Sequence, residues 1–232
     1  MFKYIEHHFK RQKERKVFND SIKQLLEDGS LSPRFILFTV LSAAIATLGI
    51  VMNSSSILIG SMLIAPLLIP VIGLSVGVGS GSPRLVITSL KSLTVGLVLS
   101  VIVSYIVARS ILPIHLDDTL YQNFSDGFLY SMVALFSGVL AIYSWFTPKT
   151  DQIIPGVGIA VALVPPLAFL GVVLATREVN FLTDILQLIF INLTGIFIGG
   201  FITFLISTLF SKHSNHERGT QVEAQLDKKT KK

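Results

Sequence analysis

Residues 46–70 read ATLGIVMNSSSILIGSMLIAPLLIP, and this stretch decides the fold. Two apolar runs flank a polar turn at residues 53–56, and the second run contains Pro66 and Pro70. An apolar run of about 20 residues is long enough for a helix to cross the hydrocarbon core of a bilayer. The stretch therefore predicts two membrane-crossing helices joined by a short turn, with the second helix interrupted at its prolines.

The composition of the whole chain agrees with a membrane domain. Of the 232 residues, 51% are hydrophobic and only 14% are charged, whereas soluble domains carry about 25% charged residues. Six apolar runs are long enough to cross a bilayer. The sequence thus predicts an all-α membrane domain at residues 35–210, with six transmembrane helices at residues 35–52, 57–78, 85–108, 128–146, 153–175 and 185–210.

The positions of the basic residues predict the orientation of these spans. Eight Lys or Arg side chains lie in residues 1–34 and six lie in residues 211–232. Arg84, Lys91 and Lys149 fall on the same side, against only Arg109 and Arg177 on the other. Because cytoplasmic loops are enriched in Lys and Arg, both termini are expected in the cytoplasm. No cleaved signal peptide is expected ahead of the first span.

The two tails differ in character. Residues 1–34 form a basic segment in which Phe18, Ile22, Leu25 and Leu26 follow helical spacing. Residues 2–28 are therefore expected to form an amphipathic helix, either lying on the anionic inner leaflet or solvated and only setting the topology. Residues 211–232 have no apolar periodicity and are predicted to be disordered. The net charge of +5 comes from these tails and not from a folded basic face, which excludes a nucleic-acid partner.

The two halves of the membrane domain resemble each other. Span two carries Pro66 and Pro70 near its middle, and span five carries Pro165 and Pro166. At an offset of 100 residues Pro66 matches Pro166, and a few flanking leucines match as well. Because three spans is an odd number, the second set would enter the membrane inverted. We therefore predict a 3+3 inverted repeat with proline-broken helices two and five, as found in many secondary transporters.

The prolines predict the chemistry of a site. Proline lacks an amide hydrogen and clashes with the carbonyl four residues earlier, so each proline frees a main-chain carbonyl. In hydrocarbon that carbonyl must meet a side chain, a water or an ion. Proline also suits the first turn of a new half-helix, whose unpaired amides attract anions. The alternative is a simple kink that nearby Ser or Thr side chains satisfy.

A few polar residues accompany the broken spans. Lys91 enters span three from its cytoplasmic end and either snorkels to the interface or lines a site. Asn192 lies deeper and must bond across helices or to a ligand. Asn53 belongs to the outer turn, as a pore mouth or as an ordinary turn residue. The candidate substrate-binding residues are Asn53, Gly60, Met62, Pro66, Pro70, Lys91, Pro165, Pro166 and Asn192.

The signatures of enzymes are missing from the spans. The middle of each span lacks Asp and Glu, which argues against a carboxylate proton relay. His115 with Asp117 and Asp118 is better explained as an exposed acidic loop than as a metal site. We expect no catalytic residue, no metal, no cofactor and no enzymatic activity.

Two longer motifs carry a resemblance. The run at residues 46–70 and a second run, PGVGIAVALVPPLA at residues 155–168, are followed by Asn192-Leu-Thr in the last span. Together they resemble a prokaryotic membrane family named domain of unknown function 389. The resemblance implies a bacterial or archaeal multi-span protein of the cytoplasmic (inner) membrane. It directs attention to Asn53, Gly60, Met62, Pro66, Pro70, Pro155, Gly156, Pro165, Pro166 and Asn192.

These observations predict a transporter or channel-like protein for a small solute or ion, with its site where the broken spans two and five meet. The missing carboxylates and the helix ends favour a small anion or a neutral solute. GxxxG spacings at Gly73 and Gly77 and at Gly195 and Gly199 indicate close helix packing, within the chain or between copies of a homo-oligomer. The alternative function is a non-transporting membrane scaffold or sensor that acts through its basic N-terminal helix.

Overall fold

A computed structural model describes residues 20–111, 113, 127–146 and 163–230, with side chains of the last helix described as far as residue 209. Within this part of the chain the secondary structure is helical. The helices are α1 (residues 20–28), α2 (Pro33–Val51), α3 (Ser55–Ile64), α4 (Leu68–Ser80), α5 (Pro83–Ile111), α6 (Gly127–Phe146), α7 (Val164–Thr176), a 3₁₀ turn (Val179–Phe181) and α8 (Leu182–Thr230).

The lengths of these helices confirm an all-α membrane protein. α2, α5, α6 and the apolar part of α8 are each long and apolar enough to cross a bilayer. α3 and α4, bent by 49° at a short break, together make a fifth. Of the predicted fifth span, residues 153–162 lie outside the described residues and α7 covers most of the remainder. The total of six spans therefore stays a prediction.

Short turns connect the consecutive helices from α1 to α5. Ser32 caps α2 by accepting a hydrogen bond of 3.1 Å from the amide of Phe35, as favoured at a helix N-terminus. Gly81 ends α4 with a φ of 67°, in the left-handed region that glycine tolerates best. The amide of Ser82 then donates to the carbonyl of Gly77 at 2.9 Å and α5 begins directly. α4 and α5 are therefore antiparallel neighbours.

α2 and α4 pack against α5 and form a first group of helices with it. Phe35 of α2 lies against Gly96, and Ser104 donates to the carbonyl of Ala43 at 3.5 Å. Since later residues of α2 meet later residues of α5, these two helices run parallel. Gly77 on α4 lies so close to α5 that a Cβ added there would be 3.0 Å from the amide nitrogen of Val86.

α6 packs against α8 and forms a second group with it. A Cβ on Gly195 would lie 2.7 Å from the Cβ of Ala134, and the rings of Phe146 and Phe204 are 5.8 Å apart. α6 and α8 therefore also run parallel. Gly199 faces the main chain of Leu135 on α6. The helix-packing role predicted for the two GxxxG spacings is confirmed, with both contacts inside one chain.

The short helices α4 and α7 connect the two groups, because α4 contacts α8 and α7 contacts α5. Ser75 on α4 donates to the carbonyl of Phe197 on α8 at 3.2 Å, and Gly79 further along α4 packs on Phe204. α4 therefore runs parallel to α8 and antiparallel to α5. A Cβ on Gly171 of α7 would lie 2.8 Å from the carbonyl oxygen of Val101 on α5. α2 and α5 of the first group thus run antiparallel to α6 and α8 of the second group.

The chain reverses between α7 and α8. The ring of Phe181, in the 3₁₀ turn, packs back onto Phe169 with centroids 6.4 Å apart. This contact across the turn makes α7 antiparallel to α8. Because α8 is itself antiparallel to α5, α7 runs parallel to α5.

The described part of the N-terminal segment packs on the membrane domain. Leu25 of α1 is fully buried, while Ile22 and Leu26 are half-buried against the core. The indole Nε1 of Trp145 donates to the carbonyl of Ser21 at 3.3 Å. Protein therefore covers the apolar side of residues 22–26, which the sequence assigned to lipid or water. Residues 1–19 of the predicted helix lie outside the described residues.

The last helix continues beyond the apolar part of the predicted sixth span. The backbone of α8 is helical as far as Thr230, well beyond its apolar part, which ends at Leu209. Disorder of residues 211–232 stays a prediction for the protein in solution.

Candidate functional site

The interruption of span two lies at Pro66. α3 ends at Ile64, and Ala65 is extended, with φ −68° and ψ 125°. This follows from the steric conflict that keeps a residue before proline out of the helical region. Pro70 does not interrupt the helix, because it occupies the first turn of α4, where no amide hydrogen is needed.

The carbonyl end of the break lies at the periphery. The hydroxyl of Ser42 on α2 donates to the carbonyl of Ser61 at 2.8 Å, so one carbonyl of the last turn of α3 has a partner. Of the side chains that follow, Leu63 and Ile64 are exposed, whereas Met62 and Ala65 are half-buried against the core. The C-terminal turn of α3 is therefore partly capped and exposed on one side.

The amide end of the break is buried. Leu67, the N-cap of α4, is 2% exposed and makes no side-chain capping hydrogen bond. The first amides of a helix have no partner inside it. With Pro70 lacking an amide hydrogen, the donors left at this end are the main-chain amides of Leu67, Leu68 and Ile69.

α7 begins in a similar way. Its N-cap, Leu163, is buried and makes no side-chain capping hydrogen bond, and Pro165 and Pro166 stand in its first turn. The two prolines remove two of the orphan donors, leaving the amides of Leu163 and Val164. A helix thus starts at these prolines, and the predicted interruption of span five stays a prediction because residues 147–162 lie outside the described residues.

The two helix starts lie at the same level of the fold. Leu67 packs on Gly96 of α5, with its Cδ2 2.5 Å from a Cβ added there. Gly171 packs near Val101 and Ser104 of the same helix. Because α7 runs parallel to α5, its start at Val164 falls two turns earlier, level with Gly96. α7 also contacts α3 and α2.

α5 carries two unpartnered hydroxyls about one and two turns before Gly96. The Oγ atoms of Ser89 and Ser92 are buried and lack a hydrogen-bond partner within the described part of the chain. Gly73 of α4 faces Ser89, and Leu67 faces Gly96. Ser92 lies between these two contacts on the same helical face, so it faces the first turn of α4.

A neighbouring serine shows what is unusual about this pair. Ser100, equally buried on α5, donates back to the carbonyl of Gly96 at 2.8 Å, as serine commonly does within helices. Ser89 and Ser92 were not among the site residues predicted from the sequence. The signal was present as a row of small residues on one face of α5, at Ser89, Ser92, Gly96, Ser100 and Ser104.

The structure separates the predicted site residues into two sets. Pro70, Pro165, Pro166 and Asn192 are buried, and Pro66 and Met62 are half-buried at the break. Asn192 lies one turn before Ile196, which packs on Gly138 of α6. Asn53 and Lys91 are exposed, and Gly60 has open space beside it. These last three residues are not brought together with the buried prolines.

The charged groups lie away from this region. Six Lys and Arg side chains are described, and all six are exposed: Lys23, Arg34, Arg84, Lys91, Arg109 and Arg177. The described Asp and Glu side chains are all outside the buried core, at the ends of helices or in α1. Within the same residues no cluster of His, Asp and Glu is arranged to hold a metal ion.

The fold and this region define an all-α integral membrane protein with a proline-broken helix. Residues 62–198 match the family described as "Domain of unknown function (DUF389)", and the chain belongs to this family. The resemblance given by its motifs is thereby confirmed.

One curated relative extends the comparison. The chain is 31% identical over 202 residues to the uncharacterized protein MJ0678 of the archaeon Methanocaldococcus jannaschii. The alignment covers 86% of this chain and 62% of that protein, so the chain spans less than two thirds of its relative's length. No solved structure matches the chain.

Proposed function

We propose that the protein is a transporter or channel-like protein for a small solute or ion in the cytoplasmic membrane of a prokaryote. Its site lies where the break between α3 and α4 meets the start of α7. One observation carries the proposal: two helices begin inside the membrane domain with buried N-caps and no side-chain caps.

The hydrocarbon of a bilayer offers no hydrogen-bond partner to a main-chain group. An unpaired main-chain group in hydrocarbon costs several kcal/mol. Within the helices as the structure describes them, the starts of α4 and α7 together leave five amides without an intrahelical partner. Water or a solute that enters the domain would satisfy them, and secondary transporters use half-helix ends in this way.

The packing directions support six spans in a 3+3 inverted repeat. α6 and α8 run parallel, so the chain between them has to recross the membrane once in the opposite direction. α2 and α5 are likewise parallel with span two between them, and they point the opposite way to α6 and α8. With the positive-inside rule, this arrangement leaves both termini in the cytoplasm. We also propose that the protein forms a homo-oligomer.

The simple-kink alternative accounts for part of the break. Ser42 satisfies the carbonyl of Ser61, as a neighbouring hydroxyl would in a structural kink. The same explanation does not extend to the amides of Leu67 and Leu68, which have no capping side chain.

The scaffold alternative has less support. It requires the N-terminal helix to offer an apolar face to a partner or a lipid surface. Within residues 20–28 that face consists of Ile22, Leu25 and Leu26, which already pack against the core.

Flux measurements test the proposed function. Purified protein is reconstituted into liposomes and the efflux of a panel of ions and neutral solutes is compared with protein-free vesicles. We expect Pro66→Ala and Pro166→Ala to lower the flux by about tenfold, about 1.4 kcal/mol, because each change lets the helix extend on its N-terminal side and pair the amides assigned to the solute. Pro33→Ala, at the exposed start of α2, is the control and should leave flux unchanged. Flux equal to that of empty vesicles across the whole panel would contradict the proposal.

A further inference from the structure

We infer that the described structure is one of two arrangements, between which α4 slides along α8 and α7 slides along α5, each by about two helical turns. This inference rests on the proposed function, because it uses the proposed 3+3 inverted repeat and names the movement by which the site would open to each side of the membrane in turn.

The long helices provide the reference for comparing the two repeats. Phe35 of α2 lies against Gly96 of α5. At the offset of 100 residues, the counterparts of these two residues are Leu135 on α6 and Ile196 on α8. A Cβ added at Gly195, next to Ile196, would lie 3.3 Å from the amide nitrogen of Leu135. The pairs α2/α5 and α6/α8 therefore pack in nearly the same register.

The short helix of the second repeat packs on α5 at Gly171. A Cβ added at Gly171 would lie 2.5 Å from the Cβ of Ser104. At the same offset the counterparts of these residues are Val71 on α4 and Phe204 on α8. If the two repeats had the same conformation, Val71 would lie against Phe204.

α4 does not have this register in the described arrangement. Gly79 packs on Phe204, and a Cβ added at Gly200 would lie 3.2 Å from the Cβ of Ser75. Val71 precedes Gly79 by about two turns of α4, which places it about 12 Å from the level of Phe204.

The same difference is found from the side of α7. The contact of Ser75 with Gly200 corresponds to a contact of Ala175 with Ser100. Ala175 lies one turn beyond the residue that meets Ser104, so it is about two turns, about 12 Å, from Ser100. Each repeat thus makes a contact that its counterpart does not. In the exchanged arrangement Val71 meets Phe204 and Ala175 meets Ser100.

The face of α5 that α7 contacts suits a sliding movement. Gly96, Ser100, Ser104 and Ala108 follow one another one turn apart, and all four are buried. Because these side chains are small, a helix packed on them can shift along the row. The shifted α7 reaches Gly96, which Leu67 of α4 covers in the described arrangement. α7 can therefore take this position only after α4 has left it, which couples the two movements.

The end of α4 allows the shift. α4 continues as a helix to Ser80, whereas α7 ends at Thr176, so the counterpart of the last turn of α4 is outside the α-helix in the second repeat. That last turn contains Gly77 and Gly79. Glycine lowers the stability of a helix, so this turn can unwind and release α4 from its short connection to α5.

Disulfide cross-links distinguish the two arrangements, because the native chain has no cysteine. A disulfide requires Cα atoms about 4.4 to 6.8 Å apart. The pair Ser75→Cys/Gly200→Cys reports the described arrangement, and the pair Ser100→Cys/Ala175→Cys reports the exchanged one. We expect both pairs of the full-length protein to cross-link in native membranes under mild oxidation.

Two further pairs complete the set. Val71→Cys/Phe204→Cys reports the exchanged arrangement from the other repeat, and melting temperatures of the reduced proteins show which variants fold. Ala134→Cys/Thr203→Cys is the distance-matched control. Ala134 meets Gly195, which precedes Thr203 by about two turns of α8. Because α6 and α8 keep their register, this control pair should not cross-link.

Flux in liposomes provides the second readout. Oxidation of Ser75→Cys/Gly200→Cys should abolish the flux of whichever solute of the panel passes, and reduction should restore it. Flux that is unchanged by this cross-link would overturn the exchange as the transport movement.

The remaining outcomes separate the two proposals. Flux without a cross-link in folded variants of either exchanged-arrangement pair would overturn the exchange and leave transport standing. Cross-linking of these pairs without flux across the panel would leave the exchange standing and overturn transport. Equal cross-linking of the control pair would overturn the exchange, since cysteines would then meet across that distance without it.

Discussion

The hydroxyl of Ser42 on α2 donates a hydrogen bond of 2.8 Å to the carbonyl of Ser61, in the last turn of α3. This contact joins α2 to the first half of the broken span just before the chain bends at Pro66. Both serines are buried. The first half of the broken span, α3, is therefore held to its neighbour α2, while the second half, α4, begins without a side-chain cap.

Removing this hydrogen bond should destabilise the protein. We expect Ser42→Ala to lower the free energy of unfolding by about 1 kcal/mol, since it leaves the Ser61 carbonyl without its donor. Unfolding in mixed detergent micelles measures the change. Ser110→Ala is the control, because its exposed hydroxyl only bonds back to Ile106 on its own helix. Equal effects of the two changes would show that the contact between α2 and α3 adds nothing.

The packing of α6 on α8 makes a second prediction. Gly199→Ala should lower the free energy of unfolding by about 1 to 3 kcal/mol, because its new methyl group would strike the main chain of Leu135. Gly60→Ala is the matched control, since nothing lies within 4 Å of a Cβ added there. That change should be neutral or raise stability by up to about 1 kcal/mol, as for glycine in a helix interior. A Gly199→Ala protein as stable as wild type would contradict the close approach of the two helices.

The N-terminal helix provides a third prediction. Leu25→Ala should cost about 2 to 4 kcal/mol, because its side chain is fully buried against the membrane domain. Leu31→Ala, at a position 42% exposed, should change stability by less than about 0.5 kcal/mol. The measurement is again unfolding in mixed micelles. If neither change mattered, α1 would not be docked, and the leaflet interpretation of residues 2–28 would regain support.

Orientation can be checked with single cysteines, because the native chain has none. Ser55→Cys and Thr119→Cys should react with a membrane-impermeant maleimide added to intact cells. Ser214→Cys should react only after the membrane is permeabilised. The expectation follows from the distribution of Lys and Arg on the two sides. Labelling of Ser214→Cys in intact cells would reverse the predicted topology.

Several features of the fold were accessible from the sequence. Long apolar runs identify α2, α5, α6 and α8, because only a bilayer requires helices of that length and polarity. Pro66 identifies the break, since proline acts on its own backbone whatever surrounds it. The spacing of Gly195 and Gly199 identifies a packed helix face, because two glycines one turn apart let a neighbouring helix approach closely.

The composition of the site was less accessible. In a membrane domain both the lipid-facing and the buried sides of a helix are apolar, so hydropathy does not reveal which side faces inward. For this reason Gly60 and Lys91 were grouped with the prolines, although one borders open space and the other is exposed. Ser89 and Ser92 were missed because a serine in a membrane helix usually bonds to its own backbone. Pro70 was expected to interrupt the helix, and only its place in the first turn explains why it does not.

Trp145 is the single tryptophan of the chain, and its indole reaches the main chain of Ser21. Intrinsic fluorescence of the unmodified protein consequently reports on this one contact. Release of α1 from the domain would change the polarity around the indole and shift its emission to longer wavelength. The molecule thus carries a built-in optical reporter, by which movement of the N-terminal segment can be followed in real time without any label.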